Sequence, residues 1–247
     1  MTRRMLIDAA HEEETRVVVM DGNRVVDYDA EIANKRPLKG NIYLAKVTRV
    51  EPSLQAAFVE YGGNRHGFLA FNEIHPDYYR IPIADREKLI AEEAEVQSGD
   101  EGAEGESVET VGGDELEEVE RRRVSMQRRY KIQEVIKRRQ ILLVQAVKEE
   151  RGTKGAALTT YLSLPGRYCV LMPNTSRGGG ISRKITNARD RKRLKTVIDG
   201  LGIPDGMAII LRTAGSERSK AEVKRDYDYL LRLWNDIRES TLASTAP

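Results

Sequence analysis

Gly40-Asn41-Ile42-Tyr43-Leu44-Ala45-Lys46-Val47-Thr48-Arg49-Val50 opens the stretch that decides the fold. Leu54-Gln55-Ala56-Ala57-Phe58-Val59-Glu60-Tyr61 follows, and after Gly62-Gly63-Asn64 comes His66-Gly67-Phe68-Leu69. Runs rich in β-branched and aromatic residues, separated by Gly-containing turns, read as short strands. Such a set predicts a small barrel, an arrangement that leaves no exposed sheet edge. Ile141-Leu142-Leu143-Val144-Gln145-Ala146-Val147 is one more strand of the same character. If it closes the barrel begun at Gly40, residues 83–140 are an insertion within it.

That insertion changes character twice. Asp85-Arg86-Glu87-Lys88-Leu89-Ile90 starts like a helix, and residues 91–120 then hold thirteen Asp/Glu and no Lys or Arg. A segment so charged and without aromatics cannot bury enough apolar surface to order itself, so disorder is expected over 91–120. Arg121–Gln140 carries nine basic residues with Val124, Tyr130, Ile132, Val135 and Ile136 between them, a helix candidate with a basic face. It could bind RNA or fold back on the acidic run, and the insertion as a whole is a candidate for docking a protein partner.

Ahead of the barrel, Arg4–Asp8, Arg16–Met20 and Arg24–Tyr28 read as strands around the tight turn Asp21-Gly22-Asn23. Behind it, Tyr161–Leu164, Tyr168–Met172 and Met207–Arg212 are strand candidates. Ala188–Asp199 is a helix stopped by Gly200 and Gly202. Ser219 and Glu222 have capping-box spacing. Val223, Tyr227, Leu230, Leu231, Trp234 and Ile237 then line one face of a helix, and Thr241–Pro247 reads as a linker.

The composition, 40% hydrophobic and 32% charged over 247 residues, fits one or two globular domains. No run nears the ~18 apolar residues of a membrane span, and no apolar leader follows Met1-Thr2-Arg3-Arg4. Cys169 is the single cysteine, so no internal disulfide forms and a reducing, cytoplasmic setting is expected. The net charge of +2 contains −13 at residues 91–120, which leaves +15 elsewhere. A polyanion binder and a solvated, salt-bridged surface are equal readings of that charge.

Two resemblances sharpen the picture. The barrel segment resembles an S1 domain in Gly40, Val47, Val50, Phe58-Val59 and Gly67-Phe68-Leu69. S1 domains are OB-fold barrels whose sheet face binds single-stranded nucleic acid, and Phe58, Phe68, Tyr61 and His66 are the base-stacking candidates. Lys148-Glu149-Glu150-Arg151-Gly152-Thr153-Lys154-Gly155-Ala156-Ala157-Leu158-Thr159-Thr160 resembles a signature of the ribonuclease E/G family. The same likeness runs through Arg49–Val59, Arg65–Phe68, Leu171–Asn174, Arg177–Arg183 and Leu211–Gly215.

The resemblance implies an α+β, mainly β chain in three parts. Residues 1–38 begin an RNase H-like subdomain, residues 39–160 form the S1 barrel with its insertion 83–140, and residues 161–247 form an α/β 5′-sensor region truncated at its C-terminal end. It implies single-stranded RNA held by Phe58, Phe68, Lys148 and Lys154. It implies a 5′ monophosphate held by Arg212 and Thr213, with Gly166 and Val170 beside the terminal nucleotide. A guanidinium fork and a hydroxyl suit phosphate geometry. The family cuts RNA with Mg²⁺ held by aspartates in D-I-N and D-F-I-D motifs, and it links subunits of a homotetramer through zinc at a Cys motif. Those ligands are not in this chain, so no catalytic or metal-binding residue is assigned and the fragment is expected to be inactive alone. Cytoplasmic placement is expected, or peripheral attachment at the inner membrane for the full-length protein. A non-catalytic S1 module in translation or RNA chaperoning is the alternative, and it would show no preference for the RNA 5′ end.

Overall fold

The computed structural model describes residues 3–32, 38–98, 130–148, 155–175 and 179–247, with the backbone alone over 91–98. The structure is a strand-dominated α+β fold in two compact units, Met1–Lys39 and Gly40–Pro247.

In the first unit β1 (Arg3–His11), β2 (Glu14–Asp21) and β3 (Arg24–Ile32) form an antiparallel sheet in that order. The turn falls where Asp21-Gly22-Asn23 predicts it: Asp21 pairs with Arg24, and Gly22 takes φ +61°, open to glycine without steric cost. Met5, Leu6, Ile7, Val25, Val26 and Tyr28 are each more than half exposed.

The second unit begins with β4 (Ile42–Glu51), β5 (Ala56–Glu60), β6 (His66–Ala70), β7 (Ile141–Lys148) and β8 (Ala156–Thr159). They close a barrel in the order β4-β5-β6-β8-β7, with only β6 and β8 parallel, an OB-like arrangement. Alternation along the strands turns Ala45, Val47, Ala57, Val59, Leu69, Leu142, Val144 and Leu158 into the barrel, each essentially fully buried. The strand at Ile141 pairs with β4 and closes the barrel, which makes the chain between β6 and β7 an insertion.

Two expectations for that insertion meet a different backbone. Helix α1 runs over Ile83–Ser98, so residues 91–98 of the acidic stretch are helical. No Gly or Pro interrupts Ile83–Ser98, and its Ala and Glu residues are strong helix formers. Residues 99–129 lie outside the described ones. Within 130–140 the helix is a single turn, α2 (Ile132–Val135), rather than part of a long basic helix. Ile132, Val135 and Ile136 are buried together, and Ile136 is already extended. Burial of those three apolar groups outweighs the helical periodicity.

The rest of the unit is a four-stranded sheet: β9 (Leu164–Pro165), β10 (Cys169–Met172), β11 (Gly180–Ile181) and β12 (Ala208–Leu211), in the order β11-β12-β10-β9. Helix α3 (Ala188–Asp199) has the predicted bounds and is capped by the Asn187 side chain, which accepts from the Arg189 amide. Helix α4 (Lys220–Ala243) carries the predicted capping box at Ser219 and Glu222. It continues through Thr241–Ala243, where a linker was expected, because nothing from Ser219 to there breaks a helix. Val223, Tyr227 and Leu230 join Cys169, Leu171, Leu194, Ile209 and Leu211 in one core. Burial of a large apolar side chain there is worth about 1.5–3 kcal/mol.

Gln145 fastens barrel to sheet. It is 4% exposed. Its Nε2 donates to the carbonyls of Gly40 and Ser163, both at 2.9 Å, and its Oε1 accepts from the Ser163 amide at 2.8 Å. Every polar atom of the side chain is therefore engaged at the point where the chain leaves the barrel.

Candidate nucleic-acid interface

The outward face of the barrel is set by strand register. Phe58 and Phe68 lie opposite each other on β5 and β6, between buried neighbours, so both rings point outward and are half-buried. Their centroids are 6.0 Å apart and the planes meet at 74°, edge to face. Arg49 is opposite Phe58 on β4, with its guanidinium carbon 4.7 Å from the ring centroid. On the other side Phe68 faces Ala157, and Ala157 faces the exposed Lys148. A single cross-strand row thus reads Arg49, Phe58, Phe68, Ala157, Lys148: two rings with a small residue beside them and a cation at each end.

Backbone approach at the edge of this row depends on glycine. A Cβ on Gly155 would strike the His66 carbonyl, and one on Gly67 would strike the Leu158 side chain. Thr160, fully buried, donates to the Glu73 carbonyl at 2.8 Å and accepts from the His75 amide at 2.7 Å. These parts of the sequence signature hold the barrel together. Lys154 lies outside the described residues.

Two other candidates separate. His66 is exposed and shares Phe68's side of β6, two residues away. Tyr61 is only 5% exposed, packed 5.1 Å from Tyr43 with Arg65 over both rings, and so offers no free face to a base. It follows the last residue of β5, where the chain bends into Gly62-Gly63 and the strand's alternation no longer sets side-chain direction.

A second constellation gathers at the turn between β9 and β10. Arg212, just past β12, donates from its backbone N to the Tyr168 carbonyl at 2.9 Å and from Nη1 to the Gly166 carbonyl at 2.7 Å. Val170 is half-buried on β10, opposite both Pro165 and Ile210. Thr213 is exposed and opens a short 3-10 helix, Thr213–Gly215. Gly166, Arg212 and Thr213 are therefore brought to one place, with Val170 on the adjoining strand. The rest of the Arg212 guanidinium has no partner among the described residues.

Sequence reading missed what holds this turn. The Asp226 carboxylate, on α4, accepts from the amides of Tyr168 (2.8 Å), Cys169 (3.1 Å) and Arg167 (3.2 Å), and from the Cys169 thiol at 3.3 Å. Burial alone would raise its pKa, but the amide and thiol donors outweigh burial and hold it below the ordinary carboxylate value. A Cβ on Gly166 would lie 2.6 Å from that carboxylate, so the close approach requires glycine. Tyr168 is flanked by Arg218 and Arg167, with guanidinium carbons 5.6 and 5.9 Å from its ring centroid. An open cleft of about 630 Å³ beside the turn includes Arg225 and Tyr229. Asp226 follows Val223 by three residues on α4, and that i, i+3 step toward the buried face is the signal the sequence carries for it.

Among the described residues no three His, Cys, Asp or Glu side chains could hold a metal ion.

Comparison with known proteins agrees with the sequence likeness. The Ribonuclease E/G family profile matches residues 163–247. Ribonuclease E of Haemophilus influenzae is 39% identical over 245 residues, 99% of this chain and 22% of that protein. Ribonuclease E of Escherichia coli K12 is also 39% identical, over 99% of this chain and 19% of its own length. Ribonuclease G of Escherichia coli K12 is 33% identical over 239 residues, 97% of this chain and 40% of that protein. The chain thus spans about a fifth of the length of these two ribonuclease E relatives.

Proposed function

For this chain, which belongs to the ribonuclease E/G family, we propose that it binds single-stranded RNA and recognises a 5′-terminal monophosphate on behalf of an endoribonuclease of RNA processing and decay. The observation that carries the reading is the contact of Arg212 with Gly166, 46 residues apart, around an otherwise open guanidinium.

The chemistry follows from that arrangement. Arg212 uses Nη1 on the Gly166 carbonyl, which orients the fork and leaves the Nη2 N–H donors for the oxygens of a terminal phosphate. The Thr213 hydroxyl adds a short donor from the start of the 3-10 helix. Gly166 holds its carbonyl on the Arg212 fork beside the first nucleotide, and Val170 offers an apolar contact to its base. The strand then lies on the barrel, where Phe58 and Phe68 stack bases at about 1–3 kcal/mol each. Arg49 and Lys148, at the ends of the row, meet backbone phosphates. In the full-length protein, Mg²⁺ held outside these residues would supply the hydrolytic step.

Fluorescence anisotropy with matched 5′-monophosphate and 5′-hydroxyl oligonucleotides tests the reading. The chain should prefer the monophosphate about ten-fold or more, the effect of one or two charge-assisted hydrogen bonds at about 1.5–3 kcal/mol. Arg212→Ala should abolish the preference and leave the 5′-hydroxyl strand's affinity unchanged. Equal affinities in the unaltered chain would reject 5′ sensing and leave an S1-type single-strand binder.

A further inference from the structure

We infer that the cleft beside β4 is an additional nucleotide subsite, taking one base and the two phosphates that flank it where the strand runs off Phe58. The inference rests on the reading of the barrel face as an RNA platform.

The cleft is a product of local geometry. At Thr48, β4 carries one residue more than β5, since Val47 faces Val59 while Arg49 faces Phe58. Thr48 is occupied by this bulge, its hydroxyl donating to the Phe58 carbonyl at 2.9 Å. A bulge re-aims the side chains that follow it. On the far side, the turn after α2 is tied to the same strand: the Arg139 amide donates to the Val47 carbonyl at 2.8 Å, and the Val47 amide to the Gln140 carbonyl at 2.9 Å. Between the bulge and this turn opens a cleft of about 430 Å³.

Its lining fits a nucleotide. Val50 and Ile136 supply an apolar floor, and Arg49, Lys137 and Arg138 are exposed cations around it; among the described residues no acid lines the cleft, though Glu51 lies 3.9 Å from Arg49 Nε at its edge. The Lys137 ammonium donates one bond, to the Gln133 carbonyl at 3.3 Å, and keeps two donors. Gln133 lines the cleft too, and its amide oxygen is buried with no hydrogen-bond donor among the described residues. An unmatched buried acceptor is uncommon in a folded protein. Every nucleobase carries an N–H on its Watson–Crick edge and an apolar π-face, so one base can lie on the floor and donate to the amide oxygen once the Gln133 side chain turns outward. Its phosphates would then meet Lys137 and Arg138. A free phosphate would leave the floor and the amide unused. Arg49 belongs to both places, lining the cleft while lying over Phe58, which makes the cleft continuous with the aromatic row.

The test uses 5′-hydroxyl oligonucleotides of three and ten nucleotides, so that the terminal-phosphate contacts play no part. The 247-residue chain, the double variant Lys137→Glu/Arg138→Glu, Gln133→Leu and Phe58→Ala are compared by anisotropy across a salt series. The double variant should bind the ten-mer about ten-fold more weakly and the three-mer as well as the unaltered chain does, which also shows that it is folded. Its slope of log affinity against log salt should shrink by about 1.4, at ~0.7 per phosphate contact on a single strand. Gln133→Leu should weaken the ten-mer a few-fold with the slope unchanged. An unaltered slope and ten-mer affinity in the double variant, with Phe58→Ala still weakening both oligonucleotides, overturns the subsite and leaves the platform standing. Unaltered binding in Phe58→Ala overturns the platform, and the subsite with it.

Discussion

The outer face of the barrel and the turn at Gly166 both present groups suited to nucleic acid, and they are assembled in opposite ways. On the barrel each functional side chain points where its own strand sends it, and the row from Arg49 to Lys148 is a consequence of register. At the turn the candidate groups come from Gly166 and Arg212, and the element that fixes the turn is Asp226 on a helix 58 residues from Tyr168. A change on the barrel face should therefore remove a contact, whereas a change at the turn should remove a framework.

The most damaging test of that contrast is Asp226→Asn. It leaves at least one of three aligned amides without an acceptor, and the expected cost is about 2–3 kcal/mol of stability, read from urea denaturation. Its pH signature has a definite sign. The Asp226 pKa is lowered in the folded state, so the stabilisation is present above the unfolded-state value of about 3.9 and is lost as pH falls through the lower folded value. Acid unfolding of the unaltered chain should steepen below about pH 4, and Asp226→Asn should flatten that dependence. An acid profile identical in the two proteins would break the comparison.

Phe58→Ala and Phe68→Ala are the counterpart on the barrel. Each should cost about 1–3 kcal/mol of single-strand affinity, while the midpoint of thermal unfolding moves little, because both rings are half-exposed and face away from the core. A large loss of thermal stability in either variant would make the row a framework after all. The smallest effect belongs to Arg139, whose φ of +67° is costly for a residue with a Cβ. Arg139→Gly should raise stability by about 1 kcal/mol, measured as a shift in the urea midpoint.

The same contrast explains what could be read from the sequence. The barrel was legible because alternation and Gly turns act within a few residues, and Asn187 and Ser219 gave helix starts because caps are local. The burial of Tyr61 was not legible, since its environment is made by Tyr43 and Arg65 after the chain has turned. Nor was Gln55, which adopts φ +46° and receives the Ile132 amide from 77 residues away. Of the candidate site residues, Phe58, Phe68, Gly166 and Arg212 are named from their motifs. Asp226 and Tyr168 emerge only when α4 is laid against the turn.

Cys169 gives that turn a clock. It is the chain's only cysteine, fully buried, with its thiol donating to Asp226 and its pKa pushed up by burial and by that carboxylate to about 12. A protonated, enclosed thiol does not react, so each alkylation event records one opening of the turn. The rate of modification by a maleimide then measures how readily the proposed phosphate pocket comes apart at this one position, without any label having to be introduced.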